Sequence, residues 1–511
     1  MIQRKLLPLA LRSILLLVCS ALALRADVKL PALFTDHMVL QQGQSLKVWG
    51  WAEAGEQVTV AFRKQSATTK CPASGKWMVT LRSEKAGGPD SLKVSGKNSI
   101  TINDVLVGEV WVASGQSNME FAMRNSFESA ADIAASANPN IRLFTVPKLK
   151  ADEPVDDVKA SWQECKPETV PGMSAVAYYF TRDLQKARQV PVGIIHTSWG
   201  GSPAEVWMSE KVLSSNPDYK SKILDIYPAQ KQKFEAALAQ WEKDKAAADK
   251  AGEKFEKRRP YPSWKPTELY NGMIAPLIPY AIKGAIWYQG ESNAGRAHEY
   301  RSLMADLIRN WRRDWDEGNF TFLQVQLAPF MAIKEQPAES TWAELREAQN
   351  IAAHAVGKAS VAVITDVGDP KDIHPTKKEP VGARLALAAR RIAYGEKIVS
   401  SGPAYRSMKA KGDEIILSFD SAGAGLEARG GELKGFAIAG EDKKFVWAKA
   451  EIQGDKVVVS SPEVKQPVAA RYGWADYPVV NFWNKDGLPA SPFRTDKFPM
   501  ITEPKKPEAK K

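Results

Sequence analysis

The chain has 511 residues, too many for one hydrophobic core, so two or three domains are expected. Hydrophobic residues make up 44% and charged residues 25%, the ordinary balance of a soluble globular protein. The formal charge of +11 comes partly from the two ends, Arg4, Lys5, Arg12 and Arg25 at one and Lys505, Lys506, Lys510 and Lys511 at the other. No basic stripe with interleaved aromatics appears between them, which excludes a nucleic-acid-binding reading.

The first residues carry a three-part export pattern. Arg4 and Lys5 precede an apolar run from Leu6 to Leu24, and small residues such as Ala21, Ala23 and Ala26 follow. Residues 1–26 are therefore expected to be a removed signal peptide, with the mature protein periplasmic or extracellular. Val18 before Cys19 is too bulky for a lipoprotein site. No other stretch is apolar enough to cross a membrane, so no stable membrane anchor is expected. Beyond the leader only Cys71 and Cys165 remain; a disulfide is permitted but not implied. There is no CxxC and no Cys/His cluster, so no structural zinc or other metal is expected.

Residues 27–104 read as strands: Ser45 to Trp51, Gln57 to Phe62, Lys76 to Leu81 and Ser91 to Val94 alternate, with glycines between them. They predict an N-terminal β-sandwich. From residue 105 the pattern changes. A buried strand (Asp104 to Ala113) and a small-residue helix (Ser126 to Ala137) lead into alternating helices and strands. Helices are predicted over Val176–Arg188, Glu299–Trp311, Glu344–Val356 and Gly382–Ala393. Strands are predicted over Val192–His196, Ile282–Tyr288, Phe320–Leu327 and Ser360–Thr365. Such alternation implies a parallel sheet covered on both faces, over residues 105–396. Residues 210–260 interrupt it with a helical insertion; Phe234, Leu238, Trp241, Ala248 and Phe255 form a stripe expected to pack on the main domain. Residues 397–495 return to strands as a second β module, and 496–511 form a tail expected to be disordered.

Four segments carry the chemistry, each just after a predicted strand, where α/β sheets place their sites. Gly115-Gln116-Ser117-Asn118-Met119 offers a serine whose N–H lies near a helix N-terminus and can face developing negative charge. Trp199-Gly200-Gly201-Ser202 has paired glycines that let a backbone N–H approach a substrate oxygen. Gln289-Gly290-Glu291-Ser292-Asn293 crowds polar groups at the end of an apolar strand, and Asn293 could donate to an oxyanion. Asp369-Pro370-Lys371-Asp372-Ile373-His374 holds a histidine, the usual base at neutral pH. Of the five histidines, His37, His196, His298 and His354 lack comparable carboxylate company in the sequence. Alone, each segment is as readily a cap or a turn; jointly they describe nucleophile, oxyanion donors and base of a serine hydrolase.

At these motifs the chain resembles the sialate O-acetylesterases and related carbohydrate acetylesterases of the SGNH hydrolase superfamily. Leu33-Phe34-Thr35-Asp36-His37-Met38-Val39-Leu40-Gln41 and Tyr270-Asn271-Gly272-Met273-Ile274-Ala275-Pro276-Leu277 extend the likeness over residues 30–395, and more weakly to about 495. The resemblance implies an α/β fold, a flavodoxin-like three-layer parallel sheet flanked by β modules. It implies Ser117 as nucleophile, His374 as base, and Gly200, Gly201 and Asn293 as oxyanion donors beside the Ser117 N–H. It implies no cofactor, and an acetylated carbohydrate, sialic acid or another glycan, as substrate, with Gln116, Trp199 and Gln289 lining the site. One departure bears on the acid. The superfamily places Asp three residues before His, and that position is Lys371; Asp372 sits two before. Asp372 is the first expectation, Glu291 the alternative that relatives with Gln-Gly-Glu suggest, and Asp369 and Asp366 local substitutes. The rival readings are an esterase on non-carbohydrate acyl esters and a catalytically weak glycan-binding protein.

Overall fold

The computed structural model describes residues 27–504, so the expected leader and residues 505–511 lie outside the described residues; the first part of the expected disordered tail is instead packed, Asp496 by Arg471 and Arg494 and Thr502 by Glu344. The first strands are β1 (Val39–Gln41), β2 (Leu46–Trp51), β3 (Gln57–Phe62), β4 (Gln65–Lys70), β5 (Lys76–Leu81) and β6 (Gly87–Ser95). Alternation builds them: Val58, Val60 and Phe62 of β3 and Trp77, Val79 and Leu81 of β5 point inward. β4 has no side chain apolar enough to reveal it in sequence; it forms by pairing with the exposed edge of β3.

β7 (Ser99–Gly115) joins the two halves of the molecule. Its start pairs antiparallel with β6, and its end lies at the centre of a parallel sheet. The predicted boundary at 104/105 falls inside this strand, and one hydrophobic core reaches from Val28 to Ala352 across it. Every residue from Val105 to Gly115 is buried, so water breaks the strand nowhere.

Downstream, in chain order, come α1 (Ser117–Glu120), α2 (Ser129–Ala134), β8 (Asn138–Thr145), β9 (Trp162–Cys165), α3 (Ala175–Arg188) and β10 (Val192–Ser198). The short α4 (Glu210–Ser215) and α5 (Pro217–Tyr219) and the long α6 (Tyr227–Ala251) precede β11 (Gly284–Tyr288), α7 (Ala297–Trp315), β12 (Thr321–Val325), α8 (Thr341–Val356), β13 (Ala359–Ala362) and α9 (Glu379–Ile392). The sheet order is β13-β12-β11-β7-β10-β8-β9, parallel except for β9. Alternate side chains feed two cores. Val110, Val112, Ala285, Trp287 and Phe322 face α7 and α8; Trp111, Ala113, Ile286, Tyr288 and Leu323 face α3 and α9. The three layers expected are present.

The strand order departs from the flavodoxin-like one, in which the second strand adjoins the first. Here β10 takes that place and β8 lies outside it. All of Val192–Ser198 is buried and needs a neighbour on each side, whereas β8 is polar over Asn138–Asn140 and suits the outer position. The expected helix Ser126–Ala137 shrinks to α2 because Asn138 onward is drawn into the sheet. The insertion also differs from expectation: α6 buries none of its residues. Its Trp241 packs on Phe255 and donates its indole N–H to the Lys257 carbonyl at 2.8 Å, so this end of the stripe packs within the insertion.

The C-terminal module carries β14 (Ala404–Lys411), β15 (Glu414–Asp420), β16 (Leu426–Ala428), β17 (Phe436–Ala439), β18 (Val446–Trp447), β19 (Lys449–Gln453), β20 (Lys456–Ser460), β21 (Ala469–Tyr472), β22 (Phe482–Asn484) and β23 (Phe493–Arg494). The sheets β14-β15-β20-β19 and β18-β17-β21-β23 share a core of Ile415, Leu417, Phe436, Tyr472 and Phe482. Buried Arg346 of α8 donates to the Ala475 and Asp476 carbonyls at 2.6 and 2.9 Å and fastens this module to the central unit. Cys71 and Cys165 are both buried and unbonded.

Candidate active site

The order of strands reverses at β7, between β10 and β11, and the residues after β7 lie in the resulting crevice. Gly115 ends the strand with φ +137°, and a Cβ there would collide with the Tyr288 carbonyl oxygen. Only glycine lets the chain turn this close to β11. The Gln116 N–H donates to that same carbonyl at 3.0 Å. Ser117 then opens α1, where a backbone N–H has no intrahelical acceptor and remains available.

The loop after β13 brings His374 back to this point. Its Nε2 lies 2.8 Å from Ser117 Oγ across 257 residues of sequence. Asp372 Oδ1 accepts the His374 backbone N–H at 2.8 Å and lies 3.4 Å from Nδ1, in an exposed position. Asp369 Oδ1 accepts the Lys371 and Asp372 N–H groups, and Asp366 is held by both Arg384 guanidinium nitrogens at 2.6 and 2.7 Å. Both are committed elsewhere, so neither stands in for Asp372.

Glu291 sits near this pair but is tied to another partner. Its Oε1 accepts from Asn118 Nδ2 at 2.7 Å, while Oε2 is shielded from water with no partner. Burial raises its pKa. Asn118 also donates to the Ile373 carbonyl at 3.0 Å and accepts from Lys378 Nζ at 2.6 Å. Lys378 is fully buried, and that desolvation pushes its ammonium down to about 7 against the pull of Glu291. Sequence reasoning missed Asn118 and Lys378. Asn118 lay inside the quoted motif, whereas nothing local marks Lys378, whose burial depends on α9 docking.

The predicted oxyanion donors are arranged unequally. Gly200 N–H already donates to Glu120 Oε2 at 2.7 Å, and Glu120 Oε1 pairs with Lys148 at 2.6 Å. A Cβ on Gly200 would stand 3.2 Å from Ser117 Cβ, so this glycine borders Ser117. Gly201 is exposed with φ +75°. Asn293 is 1% exposed; its Oδ1 accepts from the Ala204 N–H and Gln289 Nε2, and its Nδ2 donates to Glu205 at 2.9 Å. Glu205 is in turn paired with Arg296. One Asn293 amide hydrogen is thus committed to Glu205.

Two of the expected lining residues prove to be internal. Gln289 is wholly buried, with Oε1 accepting from the Tyr300 hydroxyl and Nε2 donating to Asn293 and Ser202. Gln116 is 3% exposed, and its Oε1 faces the Gly290 and Ser292 N–H groups at 3.4 Å. Both hold the turn after β11, because a polar side chain at the end of an apolar strand must find partners there. Trp199 does line the crevice, edge-on to Trp264, with Lys148 and Lys150 over its ring. His37 also departs from expectation: its Nδ1 donates to Asp104 Oδ2, 67 residues away, at 2.6 Å. Arg142 engages the same carboxylate. His196 is buried as expected, and desolvation lowers it to about 4.

The arrangement matches known proteins in sequence and fold. A family model described as carbohydrate esterase, sialic acid-specific acetylesterase, matches residues 107–260 and 261–390. The mouse sialate O-acetylesterase is 28% identical over 514 residues, covering 90% of this chain and 92% of the relative. The human sialate O-acetylesterase is 27% identical over 510 residues, covering 90% of both. The crystal structure of a carbohydrate acetylesterase from Xanthomonas citri superposes with TM-score 0.81 at 39% identity, covering 92% of this chain and all of that one. Held over catalytic unit and flanking modules alike, this likeness makes the chain a carboxylic ester hydrolase that belongs to the carbohydrate esterase, sialic acid-specific acetylesterase family.

Proposed function

We propose that the chain removes O-acetyl groups from a carbohydrate by serine acyl transfer on an SGNH-type scaffold. The observation that carries this reading is the 2.8 Å approach of His374 Nε2 to Ser117 Oγ at the carboxyl edge of the sheet. In the first step Ser117 Oγ bonds to the acetyl carbon, and its proton passes to His374 Nε2. The carbonyl electron pair becomes an oxyanion beside the Ser117 and Gly200 N–H groups, each such donor being worth about 3 kcal/mol. The acyl oxygen therefore competes with the Glu120 carboxylate for Gly200, and the displaced carboxylate keeps its partner Lys148. The oxyanion collapses, the ester C–O bond breaks, and His374 returns the proton to the departing sugar oxygen. Water repeats the sequence on the acetyl-enzyme and releases acetate. Asp372 orients the imidazole and stabilises its charged form.

No helix among the described residues is long and apolar enough to cross a membrane. The charged start and apolar run of residues 1–26 support export, and mass spectrometry of exported protein should find a mature N-terminus near Asp27. The catalytic reading is tested by acetate release from a panel of acetylated glycans beside a short aryl acetate and a long-chain aryl ester. Release from at least one glycan, with the short ester far ahead of the long one, is the expected result. Hydrolysis of the long ester alone would overturn the carbohydrate assignment.

A further inference from the structure

A cavity of about 340 Å³ lies between the segment that follows β12 and the C-terminal module. Three large apolar side chains stand exposed around it: Ile333 at 54%, Val479 at 50% and Trp447 at 43%. Leaving such groups in water is unfavourable, and their gathering around one concavity marks a binding surface. Trp447 is also immobilised. Its indole N–H donates to the Glu335 carbonyl at 2.7 Å across the cavity mouth, so its ring is already oriented. Trp474, 7% exposed, forms a further wall, and its Nε1 is buried without a partner.

The position of the cavity ties it to catalysis. The segment leaves the carboxyl end of β12, the same edge that carries Ser117 and His374. The Phe330 N–H donates to the Asp476 carbonyl at 3.3 Å, and Arg346 grips Ala475 and Asp476, so both walls belong to one fixed frame. Tyr477, on the wall, is close enough to Asp369 to feel its charge, though burial is the larger reason its phenol is raised. Asp369 in turn holds the N–H of Asp372, two residues from His374.

The chemistry of the lining selects the occupant. Lys334 is paired with Asp476 and Glu339 with Arg471, which leaves an aromatic wall with Gln336 and Lys434 at the rim and no cluster of free charge. A flat apolar wall with a few donors suits an uncharged sugar ring, which has one C–H face and hydroxyls at its edge. We propose that this cavity is a second carbohydrate subsite, seating an uncharged sugar of the substrate chain away from the acetylated residue. The proposal rests on the carbohydrate reading of the Ser117 site.

The test compares full-length wild type with Trp447→Ala on 4-nitrophenyl acetate and on the glycan the wild type deacetylates fastest, supplied as acetylated disaccharide and hexasaccharide. The aryl acetate and the disaccharide should be turned over unchanged. KM for the hexasaccharide should rise about tenfold, the loss of one aromatic contact, and Trp447→Tyr should restore most of it. Should Trp447→Ala fold poorly, Val479→Ser, at an exposed site on the same cavity, is expected to raise the hexasaccharide KM in the same selective way. Equal KM for disaccharide and hexasaccharide in the wild type, or an equal change on every substrate in the variants, overturns the subsite alone. No deacetylation of any oligosaccharide by an enzyme active on the aryl acetate overturns both the subsite and the carbohydrate reading.

Discussion

Two charged networks meet the segment that carries Ser117, and they differ in their access to water. Lys378, Asn118 and Glu291 form a sealed chain, with the lysine fully buried and one Glu291 oxygen unpartnered. Glu120 and Lys148 form an open one, with side chains 34% and 43% exposed. Ion pairs in water contribute little and exchange easily, whereas a buried charge that loses its partner is costly. The sealed network is thus suited to hold the catalytic loops in place, since Asn118 also grips the Ile373 carbonyl beside the base. The open one can yield Gly200 to a substrate oxygen at small cost.

Removing the residue between the two networks should have the largest effect. Ser117→Ala is expected to lower kcat at least a hundredfold, roughly the minimum for loss of a nucleophile, with the thermal melt nearly unchanged. Residual activity above that level would move the nucleophile elsewhere. The next effect separates an exposed acid from a buried one. Asp372→Asn should lower kcat by about a hundredfold or more, while Glu291→Gln, which keeps an oxygen for Asn118, should act more on stability than on kcat. The opposite pattern would assign the acid to the sealed network, and silence of both would mean that His374 works without a carboxylate.

Lys378→Met leaves the buried Asn118 Oδ1 without its donor and should destabilise the protein by about 2 kcal/mol at pH 9, where the amine is neutral, measured by chemical denaturation. The pH dependence has a defined sign. Folding lowers the Lys378 pKa from 10.5 to about 7, so between these values the unfolded chain binds more protons. Wild-type stability relative to Lys378→Met should therefore rise as pH increases from about 7 to about 10.5, and be lowest below that window. A flat difference would mean that the lysine is not desolvated. The smallest effect belongs to the open network. Glu120→Ala, which removes the acceptor, should change stability by less than about 1 kcal/mol and raise kcat/KM for an aryl acetate a few-fold, roughly the gain from freeing one N–H. An unchanged kcat/KM would show that the Gly200 N–H serves Glu120 and not the oxyanion.

Much of this architecture is legible in local patterns. Helices α3, α7, α8 and α9 and strands β10, β11 and β12 lie within a few residues of their predicted spans, because each presents a long apolar face with a clear period. β4 and β8 leave no such mark: one is polar along both faces and forms by pairing with its hairpin neighbour β3, and the other is polar in its first half and pairs with an edge that the distant β10 supplies. The insertion stripe was periodic enough to predict α6, but period alone does not say what the stripe packs against.

The site divides along the same line. The amino-acid sequence by itself determined which residues had the chemistry: a serine after a Gly-ended strand, a lone histidine among carboxylates, paired glycines. Tertiary structure decided which of them meet. It placed His374 on Ser117, turned Gln116 and Gln289 inward, gave Asn293 to Glu205, Gly200 to Glu120 and Asp104 to His37, and buried Lys378 beside Asn118. The physical reason is that a side chain's role depends on its partners and its solvent. Both are fixed by groups tens or hundreds of residues away, which no local window contains.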